Sequence, residues 1–114
     1  MVKCLAEKHE VIKQKIQNMN NFSNNIEKTS KIFSLLADPT RMKIVLSLME
    51  GELCVYHICD IVGGKQSAVS QHLRKLKDGK ILKCRKESNL VLYSLADLHV
   101  VNIINQAIEH ISCD

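Results

Sequence analysis

Three apolar residues in the middle of the chain, Val69, Leu73 and Leu76, are spaced by four and three, which is the spacing of one face of an α-helix. Around them stand Ser67, Ser70, Gln71, Arg74, Lys75 and Lys77. A helix opening at Lys65-Gln66-Ser67 and ending at Asp78-Gly79 therefore has a narrow apolar stripe and a broad polar, basic face. Such a helix packs by its stripe and leaves the rest to solvent or to a partner. Upstream, Glu52 to Val62 reads as a short helix ended by Gly63-Gly64. Downstream, Ile81 to Glu87 and Leu90 to Leu95 read as two strands joined by a tight turn at Ser88-Asn89. The first strand carries Lys83, Arg85 and Lys86. Helix, glycine turn, helix with a basic face, then a basic hairpin predicts a winged helix-turn-helix, mainly α with a small β-hairpin.

The flanking segments fill in the organisation. Val2 to Ile16 reads as a charged, weakly amphipathic helix, and Asn18 to Asn25, with five asparagines, as a linker. Helical spacing resumes from Ile26 through Leu36 and stops at Asp38-Pro39. Pro39 suits the first turn of the next helix, with Asp38 as its N-cap. That helix carries Met42, Ile44, Val45 and Leu48 and ends at Gly51. Asp97 opens a last helix, through about Ile111, whose apolar residues cover more than one face. The division is then an N-terminal arm and linker over 1–25 and a winged helix-turn-helix domain over 26–114. A chain of 114 residues is small for a self-sufficient core. The doubly apolar last helix points to a homodimer.

Charge and cysteine usage narrow the function. The net charge of +4 suits an anionic partner without proving one. No apolar run approaches a membrane span and no signal sequence is visible, which reads as a cytoplasmic protein with reduced thiols and no membrane partner. Cys4, Cys54, Cys59, Cys84 and Cys113 are odd in number and irregularly spaced, so they make no disulfide framework. Beside five histidines they read as buried residues, metal ligands or redox sensors.

A recognition helix in the major groove reads base edges with short polar side chains and Gln, while Lys and Arg on flanking elements neutralise phosphates. Here Gln66, Ser67, Ser70, Gln71 and His72 are the candidate reading residues. Arg74, Lys75 and Lys77 follow them, and Lys83, Arg85 and Lys86 form a basic wing. On pattern alone, an αα-hairpin with a solvated basic face fits as well.

Several motifs now favour one reading. Leu36-Ala37-Asp38-Pro39-Thr40-Arg41-Met42-Lys43-Ile44 resembles the "LADPTRxxIL" signature of ArsR/SmtB repressors. Glu52-Leu53-Cys54-Val55 is similar to the opening of their "ELCVxxL" helix, and Gln66 to Leu76 to their "QSAVSxHLxxL" recognition helix. Leu92-Tyr93-Ser94-Leu95 resembles the end of their wing. The resemblance runs over about residues 26 to 113, with its motifs in order. It implies a homodimer on a palindromic operator, repressing metal export or storage genes until a metal binds.

The last helix carries Asp97, His99, His110 and Cys113. His99 and His110, 11 positions apart, fall within roughly 20° of each other on the helix surface and about 16 Å apart along its axis. Zinc–nitrogen bonds of about 2.0 Å rule out one ion shared by both on a single helix. Two such helices, antiparallel about a two-fold axis, would bring Asp97 and His99 of one to His110 and Cys113 of the other. O, N, N and S donors suit tetrahedral zinc, and also cobalt or cadmium. The resemblance implies such an inter-subunit site in the pattern D-x-H-x10-H-x2-(E or H). This chain departs at the fourth ligand, where Cys113 stands, with Asp114 as an alternative. The competing reading makes Asp97 a helix cap and the histidines surface residues.

Cys54 and His57, spaced i, i+3, could join Cys4 and His9 of the arm in a second, S2N2 site. Against it, the second Cys of the thiolate-rich family version is Tyr56 here, and Cys54 reads equally as a small buried residue. Cys59 reads as core and Cys84 as inert. A thiol-redox or persulfide-sensing repressor of the same fold is the alternative function. A metal-dependent hydrolase would need an open coordination position and a general base. Four ligands would fill the proposed site and no nucleophile motif is present, so the expected protein is not an enzyme and has no small-molecule substrate.

Overall fold

The computed structural model describes the backbone of residues 2–23 and 25–113 and the side chains of residues 6–19 and 25–113. The chain divides into two units, Met1–Phe33 and Ser34–Asp114, so the division falls inside a helix. The first unit is helical, with α1 over Val2–Ser23 and most of α2 over Asn25–Leu36. The asparagine-rich stretch expected as a linker thus continues α1 as far as Ser23. Asparagine is only a weak helix former, and its cost over a few positions is small enough for a long helix to absorb.

The second unit starts with the end of α2 and turns into α3, Pro39–Ser47. Asp38 is extended and accepts a hydrogen bond from the Arg41 backbone N–H at 3.0 Å, with Pro39 in the first turn, as the sequence predicted. A short 3-10 turn, Leu48–Glu50, and Gly51 close it. The segment then departs from expectation. Leu53–Cys54 is not helical but a two-residue strand, β1, and α4 covers only Val55–Val62. After α5, Gln66–Asp78, come β2, Leu82–Glu87, and β3, Leu90–Leu95. β1 pairs antiparallel with β3 on the edge away from β2, with Leu53 opposite Tyr93 and Cys54 opposite Leu92. The hairpin is therefore part of a three-stranded sheet. Helical spacing of the apolar residues lost here to the unpaired backbone of β3, whose amides and carbonyls gain partners from β1. The last helix, α6, covers His99–Ser112.

The core of this unit is apolar throughout. Ile44 of α3, Ile58 of α4 and Val69, Leu73 and Leu76 of α5 are buried with almost no exposure. Full burial of each such side chain contributes about 1.5–3 kcal/mol. α3 packs against α4 and α5, and Val100, Val101 and Ile104 seal the side of α6 that meets α3. Among the described residues, no helix is long and apolar enough to cross a membrane.

Candidate nucleic-acid interface and metal-binding helix

The predicted stripe of α5 is the buried one. Val69, Leu73 and Leu76 point into the core, which turns Gln66, Ser67, Ser70, Gln71, Arg74 and Lys75 outward, all exposed. The turn before the helix sets its direction. Gly63 has φ 73° and Gly64 φ 125°, two consecutive left-handed residues, and this is what Gly-Gly is for. The start of α5 has no side-chain cap and no acidic residue in its first turn, so its free N–H groups carry their partial positive charge toward solvent. Lys75 and Lys77 in the last turn complement the opposite end of the helix dipole.

Two of the residues assigned to DNA from sequence are otherwise engaged. His72 is half-buried, and the Arg41 Nη1 lies 3.3 Å from its Nδ1. Arginine is always a donor, so Nδ1 is the accepting atom of this contact. The same guanidinium donates from Nε to the Leu35 carbonyl at 2.6 Å. Arg41 thus brackets the end of α2, α3 and α5, a role the sequence reading missed. The signal was present for His72, which lies three residues after Val69 and four before Leu76, on the flank of the buried stripe. On the wing, Arg85 is exposed but donates to both oxygens of Glu52, each at 2.8 Å, and contacts Glu87 at 2.7 Å. The Glu52 carboxyl is held below its ordinary range by that arginine, and the Arg85 guanidinium is made still more basic by the two carboxylates. Lys83 and Lys86 are exposed, and no salt bridge involves either among the described residues.

The metal candidates sit at the two ends of α6. Asp97 lies just before the helix. Its carboxylate accepts from the His99 backbone N–H at 2.9 Å, and the same oxygen is 3.2 Å from His99 Nδ1. Asp97 therefore caps without holding the formal N-cap position, which is Leu98. His110 is in the last turn and Cys113 directly follows the helix, both exposed. Asp97 and His99 converge and are open to solvent, so their donor atoms suit a metal ion. Among the described residues no three metal-ligating side chains of one chain come together. Asp114 lies outside the described residues. Of the second candidate set, Cys54 is buried and His57 exposed, while His9 is exposed in the first unit and the Cys4 side chain lies outside those described. Cys59 and Cys84 are both half-buried free thiols, so Cys59 is less enclosed than the sequence suggested.

Comparison with known proteins matches this architecture. The family described as "Bacterial regulatory protein, arsR family" matches residues 38–83, from the Asp38 cap into β2. The chain is 48% identical over 83 residues to a cadmium resistance transcriptional regulatory protein CadC homolog of Staphylococcus aureus, covering 71% of this chain and 68% of that one. It is 36% identical over 85 residues to a transcriptional repressor SmtB homolog of Synechocystis, covering 75% of this chain and 64% of that one. The match thus spans about two thirds of these relatives' lengths. Among solved structures, a homodimeric winged helix-turn-helix DNA-binding domain from Mycobacterium bovis aligns with a TM-score of 0.70 and 25% identity, over 78% of this chain and 86% of that one.

Proposed function

Because this chain belongs to the bacterial ArsR family of regulatory proteins, we propose that it is a homodimeric transcriptional repressor that leaves its operator on binding zinc, cobalt or cadmium. Release then derepresses metal export or resistance genes. The observation that carries the DNA-binding half is α5, a helix locked by three buried residues behind a Gly-Gly turn, with Gln66, Ser67, Ser70 and Gln71 turned outward. These side chains read base edges in the major groove, and Arg74, Lys75 and Lys86 neutralise phosphates. His72, held by Arg41, orients the helix from behind rather than reading bases.

The metal half rests on α6. Asp97 and His99 of one subunit, with His110 and Cys113 of a second copy, would hold the ion. Bound zinc supplies a four-coordinate cross-link between subunits. The residues themselves do the rest. Two donors stand at or beside each end of α6, so a donor set is completed by a partner whose α6 runs antiparallel. The angle between the two helices sets the spacing of the two α5 helices, which must meet half-sites about 34 Å apart. A site that depends on this angle couples metal to DNA affinity. The test is a zinc titration of the protein on a labelled duplex from upstream of its own gene, with random duplex as competitor. Preferential binding lost on adding zinc is expected. Equal affinity for both duplexes, or retention with zinc, cobalt and cadmium alike, would end this reading. Release by oxidant alone would move it to thiol sensing.

A further inference from the structure

Successive residues of β2 face opposite ways, which puts Lys83, Arg85 and Glu87 on one face and Lys86 on the other. Arg85 spends its fork on carboxylates. Nε and Nη2 each donate to one oxygen of Glu52 at 2.8 Å, and Nη2 also contacts Glu87 at 2.7 Å. Glu52 stands 33 residues earlier, immediately before β1. The pairing therefore ties the wing to the segment that enters the helix-turn-helix. Lys83 also faces Glu52 closely enough to act on its carboxyl. Two carboxylates and two cations on this face cancel, so it presents no surplus charge to a polyanion.

We propose that Glu52 and Glu87 withdraw Arg85 from the phosphate-binding surface. Contact with the DNA backbone then falls to Lys86, on the opposite face, together with Arg74 and Lys75. A bidentate arginine–carboxylate pair is strongly oriented. An exposed pair of this kind adds little to stability. An arginine already neutralised carries no phosphate contact into the complex and releases no counterion on binding. The inference rests on the reading that the wing meets the duplex.

The dependence of binding on salt counts phosphate contacts and tests the proposal. Binding to operator and random duplex is measured from low to moderate KCl for the full chain. R85Q should leave the slope of log K against log salt unchanged. E52Q/E87Q should steepen it by about one, because Arg85 is freed to reach a phosphate. Adding R85Q to that pair should return the slope to its original value. K86A should flatten it by about one. All four side chains are exposed, and melting curves check that each variant folds. If R85Q by itself flattens the slope, or E52Q/E87Q leaves it unchanged while K86A flattens it, the withdrawal of Arg85 is wrong. If K86A and E52Q/E87Q both leave the slope untouched, the wing does not meet the backbone, and both the inference and the reading beneath it fall.

Discussion

At the scale of single residues, the outward face of α5 and the cap of α3 make the sharpest claims. Gln71→Ala and Ser70→Ala should each weaken operator binding by about 1–3 kcal/mol and leave random-duplex binding nearly unchanged, as measured by competition. Equal losses on both would remove these side chains from base reading. Asp38 accepts from the Arg41 N–H, and that bond, ahead of the Arg41 charge, keeps its carboxyl below the ordinary value of 3.8. A lowered carboxylate stabilises the fold fully above its unfolded pKa and loses that contribution as the pH falls through the folded value. Asp38→Asn should therefore flatten the acid leg of the stability curve below about pH 4. Asp38→Ala should lower the melting temperature at pH 7 as well, by removing the cap altogether. Asp38, Pro39 and the outward residues of α5 were all legible in the sequence, because caps and helix faces are local. The bracket from Arg41 to His72 was not, since it spans 31 residues.

At the scale of elements, the helix-turn-helix depends on a turn that no side chain fits well. A Cβ added to Gly64 would meet Val69 only at 3.9 Å, an ordinary contact, so space does not oppose alanine there. Backbone conformation does, because φ 125° lies where residues other than glycine are strained. Gly64→Ala should cost about 1–3 kcal/mol in urea unfolding. A cost below the measurement error would show that the turn adapts. Leu73→Ala, in the buried stripe of α5, should cost about 2–5 kcal/mol. The two strands of the wing and their two-residue turn follow from alternation and from Ser88-Asn89. Ser88 takes up φ 54° there, and Glu87 faces Leu90. β1 is the element that local pattern misassigned. Leu53 and Cys54 continue the helical spacing of α4, and only the open edge of β3 drew them into the sheet.

At the scale of the whole molecule, α6 keeps one side for its own unit and leaves Leu98, Ile103, Ile108 and Ile111 exposed. Apolar surface of this kind on a small domain calls for a second copy. Sedimentation at micromolar concentration should give a dimer, with and without zinc. A monomer under both conditions would rule out the proposed inter-subunit metal site along with the dimer. His110→Ala should bind operator like the unmodified protein without metal and fail to release it with zinc, as read by fluorescence anisotropy. Release that persists in His110→Ala but is lost in Cys54→Ser would place sensing at Cys54 instead. The helical periods, the caps, the glycine turn and the donor spacing along α6 belong to the sequence, because each is set by neighbours within a few residues. Folding alone decided the third strand, the contact of half-buried His72 with Arg41 and the neutralisation of Arg85 by Glu52. These depend on which distant segments share an edge or a face, and backbone partners and opposite charges are paired only once the chain has closed on itself.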